Sequence, residues 1–376
     1  MGGIDRKLQE DDMSKKLKVA LIGAGMIANA GHIPAWKNLA AEVEIVGVAN
    51  PRRQRALDTA ARHGLPHAYD DWRRMLTDLA PDIVSICTPN ASHKEIALGA
   101  LEAGAHVFCE KPIATGYADA RAMYEAAEAQ GKVLMVSQTA RFANTTLAAK
   151  DLVDAGVLGE IYYAETAAMR RRGTPAWGRF HMKDASGGGP VYDLGVHILD
   201  TLFWLMGNPQ IVAVSSMTYT KLANRDEGLV TSLAASGAPV GVYDPRPFDP
   251  KEFDVEDMAV AFLRLENNAT VSFKTSWAAN VPDGMGGTLL VGTRAGLRLR
   301  PLTVYGAVGR YQADTTPLVP PDPDIPFHGH WLAAEHMVKV IRQEEELIVK
   351  QEEVLNVMRA LDAIYESARQ GREVWL

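Results

Sequence analysis

The sequence holds only two cysteines, Cys87 and Cys109, both set in strongly apolar stretches. Two thiols so placed build neither a disulfide framework nor a thiolate metal site, and they read as packing residues. That usage suits a reducing, cytoplasmic compartment. No segment approaches the roughly 18 continuous apolar residues that a membrane-spanning helix needs. A long Lys/Arg run is also missing, and the formal net charge is -7. That balance argues against a nucleic-acid partner, whose phosphates must be neutralised. Residues 1–16 mix acids and bases without an apolar core, so they read as a loose N-terminal tail and not as a secretory signal. The rest is ordinary globular composition: 47% hydrophobic and 23% charged over 376 residues, too long for one typical core and ample for two.

From Leu17 onward short apolar runs alternate with longer amphipathic segments. Leu17–Ile22, Glu42–Val48, Ile83–Cys87, Ala105–Phe108 and Val133–Val136 read as strands. Pro51–His63, Asp71–Leu79, His93–Ala103 and Tyr117–Ala129 read as helices. Continuous apolar strands alternating with helices predict a parallel sheet covered on both faces, a Rossmann-type domain over 17–140. The pattern then changes. A helix at Thr145–Ala155 and a strand at Glu160–Met169 precede an aperiodic section, Arg170–Pro190, and a helix at Leu194–Met206. Ile211–Thr220, Asp257–Leu265, Ala269–Trp277 and Gly287–Val291 read as strands, with a hairpin turn at Glu266–Ala269. Residues 312–326, rich in Pro and Asp, are expected as an irregular loop. Helices at Trp331–Gln343 and Gln351–Gln370 and a short strand at Glu373–Leu376 close the chain. The second domain, 141–376, is therefore α/β with a large, mostly antiparallel open sheet, and its C-terminal segments can return to the first domain.

The first strand runs directly into Gly23-Ala24-Gly25-Met26-Ile27-Ala28. This is G-x-G-x-x-A in the context that gives it meaning. Gly23 permits the tight turn, Gly25 lets the backbone approach a pyrophosphate, and Ala28 lets helix and strand pack closely. The bare N–H groups of the following helix, with Met26 and Ile27 in its first turn, favour phosphate. A dinucleotide is the expected cofactor. The end of the second strand sorts NAD from NADP, and it carries Asn50, then Arg52 and Arg53. Asn bonds a ribose without repelling a 2′-phosphate, and a guanidinium can pair with one, so the reading leans to NADP over NAD. The alternative is that the arginines are simply solvated residues at a helix start.

Farther along come Thr88-Pro89-Asn90 with His93, Glu110-Lys111-Pro112, Gly187-Gly188-Gly189, and Asp193 four residues before His197. In this order, with the glycine turn and the last helix through Tyr365, the chain resembles the Gfo/Idh/MocA family of glucose–fructose oxidoreductases and inositol dehydrogenases. The resemblance covers nearly the whole chain. It implies a Rossmann domain followed by an α/β domain whose sheet commonly forms the subunit interface of a homodimer or homotetramer. It implies that Lys111, Asp193 and His197 are the catalytic group, that Thr88, Pro89, Asn90 and His93 lie beside the nicotinamide, and that Glu110 stands near its ribose. The implied substrate is polyhydroxylated: a sugar, an inositol or a related polyol.

The chemistry can also be built from the residues. Oxidising a secondary alcohol removes a hydride from carbon, which nicotinamide accepts, and a proton from oxygen, which the protein must accept. His197 titrates near neutrality and is the best acceptor. Asp193 is placed one helical turn away, to bind a substrate hydroxyl or orient the base. Lys111 either bonds the reacting oxygen or shares the proton relay. Gln138 and Arg141 fall just past the last Rossmann strand, where the cleft should open. Gln138 is read with the cofactor. Arg141 is read with substrate or cofactor, a domain-closing salt bridge being an equal alternative. Trp177, Arg179, His181 and Lys183 precede the catalytic helix and are candidates to shape the substrate pocket, as are Trp277, Phe327, His328, His330 and Trp331. His328 and His330 have no acidic residue at metal-ligand spacing, and no metal is expected. Rival functions are a cofactor-recycling glycosidase or sugar–sugar oxidoreductase, which would release no free NAD(P)H, and a non-enzymatic dinucleotide sensor.

Overall fold

Strands buried on both faces need helices on both sides, and the first half of the chain supplies them in strict alternation. The structure, a computed structural model, describes residues 15–225, 233–282 and 284–376; the tail read over 1–16 lies almost wholly outside the described residues. The first sheet contains β1 (Leu17–Ile22), β2 (Val43–Ala49), β3 (Ala68–Tyr69), β4 (Ile83–Ile86), β5 (His106–Cys109) and β6 (Leu134–Val136). All neighbours are parallel, in the order β3-β2-β1-β4-β5-β6. The order reverses direction between β1 and β4, which opens a crevice at their carboxyl ends. The intervening helices are α1 (residues 26–38), α2 (Arg53–His63), α3 (Trp72–Leu79), α4 (His93–Glu102) and α5 (Tyr117–Ala129). Sequence periodicity located these elements to within a few residues, apart from the two-residue β3 and α1, of which only the start was read.

The second half contains α6 (Asn144–Asp154), β7 (Ile161–Met169), the single turn α7 (Lys183–Ser186) and α8, formed by Val191–Gly195 and Val196–Leu205. β8 (Ile211–Tyr219), β9 (Met258–Leu265), β10 (Thr270–Ser276), β11 (Gly286–Gly292), β12 (Gly296–Arg298), β13 (Thr303–Val308) and β14 (Tyr311–Thr315) follow. α9 (His328–Ile341), α10 (Gln351–Gln370) and β15 (Val374–Trp375) end the chain. Among the described residues the second sheet has the order β14-β13-β12-β11-β7-β10-β9-β8-β15. Every neighbouring pair is antiparallel except β7 and β10. The expected loop at 312–326 is corrected at its start, where Gln312–Thr315 continue β14. Gln312, Asp314 and Thr315 hid this edge strand, because it has no buried residue to impose an apolar alternation.

α8 and α10 pack on one face of this sheet. The other face exposes Met217 and Phe262. α9 returns to the first domain and packs on α1. Two helices contain a π-helical turn, Ala28–His32 in α1 and Val191–Gly195 at the start of α8. A π-turn widens the helix by one residue and re-aims its side chains, and such turns concentrate at functional sites. Both lie against the cleft. Among the described residues, no helix is long and apolar enough to cross a membrane.

Candidate active site

The glycine turn sits at the point where the strand order reverses. Gly23 has φ +103, and a Cβ there would stand 2.4 Å from the Cys87 carbonyl oxygen at the end of β4. Only glycine fits both demands. A Cβ on Gly25 would meet nothing within 4 Å, so the backbone there faces open space in front of the α1 N-terminus. Around the same crevice three buried polar atoms lack a protein partner: Thr88 Oγ1, Ser137 Oγ and Gln138 Oε1. A buried unpaired oxygen is costly unless a ligand or water completes it. Open space over a helix N-terminus and unpaired polar atoms at the strand ends fit a dinucleotide. Asn50 lies at the β2 end of this site, its Oδ1 accepting from Arg52 N at 3.0 Å. Arg52 and Arg53 are exposed. Arg53 approaches Asp70 at 3.5 Å, a solvated contact worth little.

A strap from the second domain reaches this end. A Cβ on Gly241 would stand 2.8 Å from the Met26 carbonyl oxygen, the Arg62 guanidinium lies 3.6 Å over the Tyr243 ring, and Arg55 Nη2 donates to the Asp244 carbonyl at 2.6 Å. No sequence signal pointed to it.

At the other end the catalytic candidates meet. Lys111 Nζ donates to Asp193 Oδ1 and to the Asp193 carbonyl, each at 3.0 Å. The Lys111–Pro112 peptide is cis. Trp277 Nε1 donates to the other carboxylate oxygen, Oδ2, at 2.9 Å. Both side chains of the ion pair are largely buried, 17% and 14% exposed. Burial pushes the Asp193 carboxyl up, but the charges of Lys111 and Arg170 and the two hydrogen bonds outweigh it, and the pKa falls to about 2. His197 is half-buried in the same cluster. Burial, then the positive charge of Lys111, lower its pKa to about 3 against the opposing pull of Asp193 and Glu110. It is a neutral imidazole at ordinary pH.

The Gly187-Gly188-Gly189 turn explains how Asp193 is delivered. A Cβ on Gly188 would stand 2.0 Å from the Tyr365 hydroxyl, and one on Gly189 2.1 Å from the Glu256 carbonyl oxygen. The buried Glu256 carboxylate accepts from Gly189 N and Val191 N, each at 3.0 Å, and from Tyr365 OH at 2.8 Å. This network starts the π-turn that carries Asp193. Glu256, Arg170 and the π-turn were not found from the sequence, and Tyr365 only as part of the last helix, because their partners are distant in the chain.

Other expectations are relocated. Arg141 is fully buried and does not face the cleft. Its Nε and Nη2 make a bidentate pair with Asp200 at 2.8 and 2.6 Å, and Nη1 bonds Glu353 and the Ile348 carbonyl. It ties α8 to α10, and a substrate role is withdrawn. His93 is also fully buried, with Nδ1 2.9 Å from Pro112 O and Nε2 2.9 Å from Thr88 O. It clamps the Thr88–Asn90 loop to the Lys111–Pro112 turn. Asn90 anchors that loop through Nδ2 to Ser186 O at 2.8 Å, so Pro89 lies between two fixed points. Glu110 turns its carboxylate inward: Oε1 lies 2.8 Å from His32 Nε2 and 3.0 Å from His330 Nε2. Burial raises its pKa, but these two contacts outweigh it and hold the carboxyl well below its usual range.

Trp177 is half-buried, bonding Ser236 Oγ through Nε1 at 2.9 Å, and Lys183 is exposed on α7. Arg179 pairs with Asp184 at 2.6 Å, and His181 is buried against Phe248 and Phe253. Phe327 caps the N-terminus of α9 in a left-handed conformation, and His328 and Trp331 are half-buried in its first turn.

Comparison with known proteins agrees with this architecture. Residues 17–138 match the family described as "Oxidoreductase family, NAD-binding Rossmann fold", and residues 150–376 match "Oxidoreductase family, C-terminal alpha/beta domain". The chain is 32% identical to a D-glucoside 3-dehydrogenase of Escherichia coli (strain K12), across 96% of this chain and 98% of that protein. It is 29% identical to a levoglucosan dehydrogenase of Pseudarthrobacter phenanthrenivorans over 70% of this chain and 68% of the relative. A solved levoglucosan dehydrogenase in complex with NADH has the same fold, with a TM-score of 0.80 at 24% identity, covering 96% of this chain and 99% of that one. With both halves matched end to end and a phosphate-type glycine turn facing a Lys–Asp–His cluster, the chain belongs to the Gfo/Idh/MocA family of NAD(P)-dependent oxidoreductases acting on CH–OH groups.

Proposed function

We propose that the protein oxidises a secondary hydroxyl of an unphosphorylated glucoside, sugar, inositol or related polyol, and reduces the corresponding ketone in reverse. The observation that carries this reading is the meeting of Lys111, Asp193 and His197 beside the carboxyl ends of β1 and β4. Gly23, Gly25, Met26, Ile27, Asn50, Thr88 and Gln138 would hold the dinucleotide, whose nicotinamide, when bound, takes up the hydride from the carbinol carbon. His197, already neutral, accepts the hydroxyl proton. It is a weak base, and the Lys111 ammonium compensates by bonding the same oxygen and stabilising the negative charge that grows there. Asp193 holds that ammonium in place and, once substrate enters, offers an acceptor to a neighbouring hydroxyl. Trp277 fixes the carboxylate from the opposite side. We assign Trp177 and Lys183 to the substrate as well.

Arg52 and Arg53 favour NADP, since both are exposed beside Asn50 and no acidic residue replaces Asn50 to repel a 2′-phosphate. The outer face of the second sheet, with Met217 and Phe262 exposed, is assigned to a homodimer or homotetramer interface. Two buried, free thiols fit a cytoplasmic setting.

The names of the two relatives direct the first screen to glucosides and levoglucosan, followed by inositols and free aldoses, each with NAD and NADP. Stoichiometric NAD(P)H formation with one of them is the expected result. Turnover without net NAD(P)H would replace this reading with a recycling reaction. Cofactor binding without any polyol turnover would replace it with a dinucleotide sensor.

A further inference from the structure

Three side chains that the hydride reaction does not use converge beneath the catalytic lysine. His32 comes from the π-turn of α1, Glu110 from the end of β5, and His330 from the first turn of α9. All three are buried, and one donor atom from each lies within 4.8 Å of the others. Both imidazoles present Nε2 to the same carboxylate oxygen, Glu110 Oε1, at 2.8 and 3.0 Å. The second oxygen, Oε2, is engaged by Lys111 N at 3.2 Å, which fixes the carboxylate so that one oxygen serves the rings.

The far side of His32 is also prepared. Its Nδ1 lies 2.7 Å from Ser85 Oγ, which accepts from Trp36 Nε1 at 3.0 Å. A hydroxyl oxygen has two lone pairs, so Ser85 can accept from both rings. His32 can then carry its proton on Nδ1 and leave Nε2 bare. An outer partner that orients and fixes the tautomer of a histidine is the usual support of a metal ligand.

We propose that His32, Glu110 and His330 form a binding site for a first-row divalent transition-metal ion, with two imidazole nitrogens and one carboxylate oxygen as ligands. Metal–ligand bonds of about 2.1 Å set at right angles place neighbouring donors about 3 Å apart, close to the two nitrogen–oxygen separations found here. Without an ion the same contacts close as hydrogen bonds from the two Nε2–H groups to Oε1; an ion replaces those protons. Two nitrogens and one oxygen suit zinc, cobalt, nickel or ferrous iron, whereas magnesium and calcium prefer oxygen alone and cuprous copper prefers sulfur. The ion would join α1, β5 and α9, and it would set a positive charge near His197, on which Glu110 and His330 already act electrostatically. The assignment stands apart from the identity of the alcohol substrate.

The test uses the full chain without an affinity tag, stripped with a chelator and titrated with Co2+ and with Zn2+ by calorimetry. One ion per chain is expected, with a rise in Tm on loading. His330→Gln should weaken binding at least tenfold while keeping NAD(P)H binding, and His328→Ala, two residues away, should bind as wild type does. No stoichiometric binding by wild type, or unchanged binding by a folded His330→Gln, overturns the proposal. Should His330→Gln fail to fold, paramagnetically shifted imidazole resonances of the Co2+-loaded wild type count the histidine ligands. Two such histidines support the site, and fewer overturn it.

Discussion

The two ends of the cleft are built on different principles. At the catalytic end charged side chains hold one another: Lys111 bonds Asp193, Trp277 bonds the opposite oxygen, and little of either charged partner meets solvent. At the proposed adenosine end the fixed part is backbone, the Gly23 turn and the α1 N-terminus, while the side chains proposed to discriminate, Asn50, Arg52 and Arg53, lie in or near water. Charges are worth most where water is excluded, so the chemistry should be hard to perturb gently and the cofactor preference easy to retune.

The largest effect should come from the enclosed end. Lys111→Ala and His197→Ala are each expected to lower kcat by about 10^3-fold, with cofactor affinity near wild type in fluorescence titration. Asp193→Asn keeps the shape but removes the charge, and about 10^2-fold is expected. If either lysine or histidine variant kept wild-type turnover, the contrast between the ends would collapse. Arg141→Ala tests an equally buried charge outside the cleft. It strands Asp200 and should cost about 3–5 kcal/mol in denaturant unfolding, with KM for the alcohol unchanged. A rise in KM with wild-type stability would return Arg141 to the substrate.

The pH dependence sharpens the same contrast. Because His197 has a pKa near about 3 in the folded free enzyme, kcat/KM for alcohol oxidation should show no acid limb at the ordinary histidine value of about 6.5. The unfolded chain binds that proton near 6.5 and the folded chain only near 3, so this stabilising contribution is complete above 6.5 and is lost as pH falls through that window. His197→Gln should flatten that part of the stability profile. An acid limb near 6.5 that vanishes in His197→Gln would mean the imidazole is more basic than its surroundings imply. The smallest effect belongs to the open end: Arg52→Ala with Arg53→Ala should weaken NADP about tenfold and leave NAD within about twofold. Equal loss for both cofactors would remove these residues from discrimination.

Legibility followed the same division. The glycine turn was readable because strand, turn and helix are contiguous, and each glycine has a local reason to be there. Lys111, Asp193 and His197 were singled out from chemistry and family resemblance together, and the fold brings them into one cluster. Arg141 looked like a cleft residue from its place after β6, yet its partners Asp200 and Glu353 are far along the chain, and burial decided the matter. His32 could not be suspected at all, since a histidine on an apolar helix shows nothing of the carboxylate waiting across the fold. The π-turns evaded periodicity because one extra residue shifts the phase without changing composition.

α9 gives the molecule a further property. Ala333, Ala334, Met337 and Val338 belong to the same apolar core as Trp36 and Phe142, far earlier in the chain. A nascent chain emerging from the ribosome would thus finish its nucleotide-type sheet long before the cover for that flank exists. Cutting the gene after β6 is therefore expected to yield a fragment with an open apolar side that aggregates.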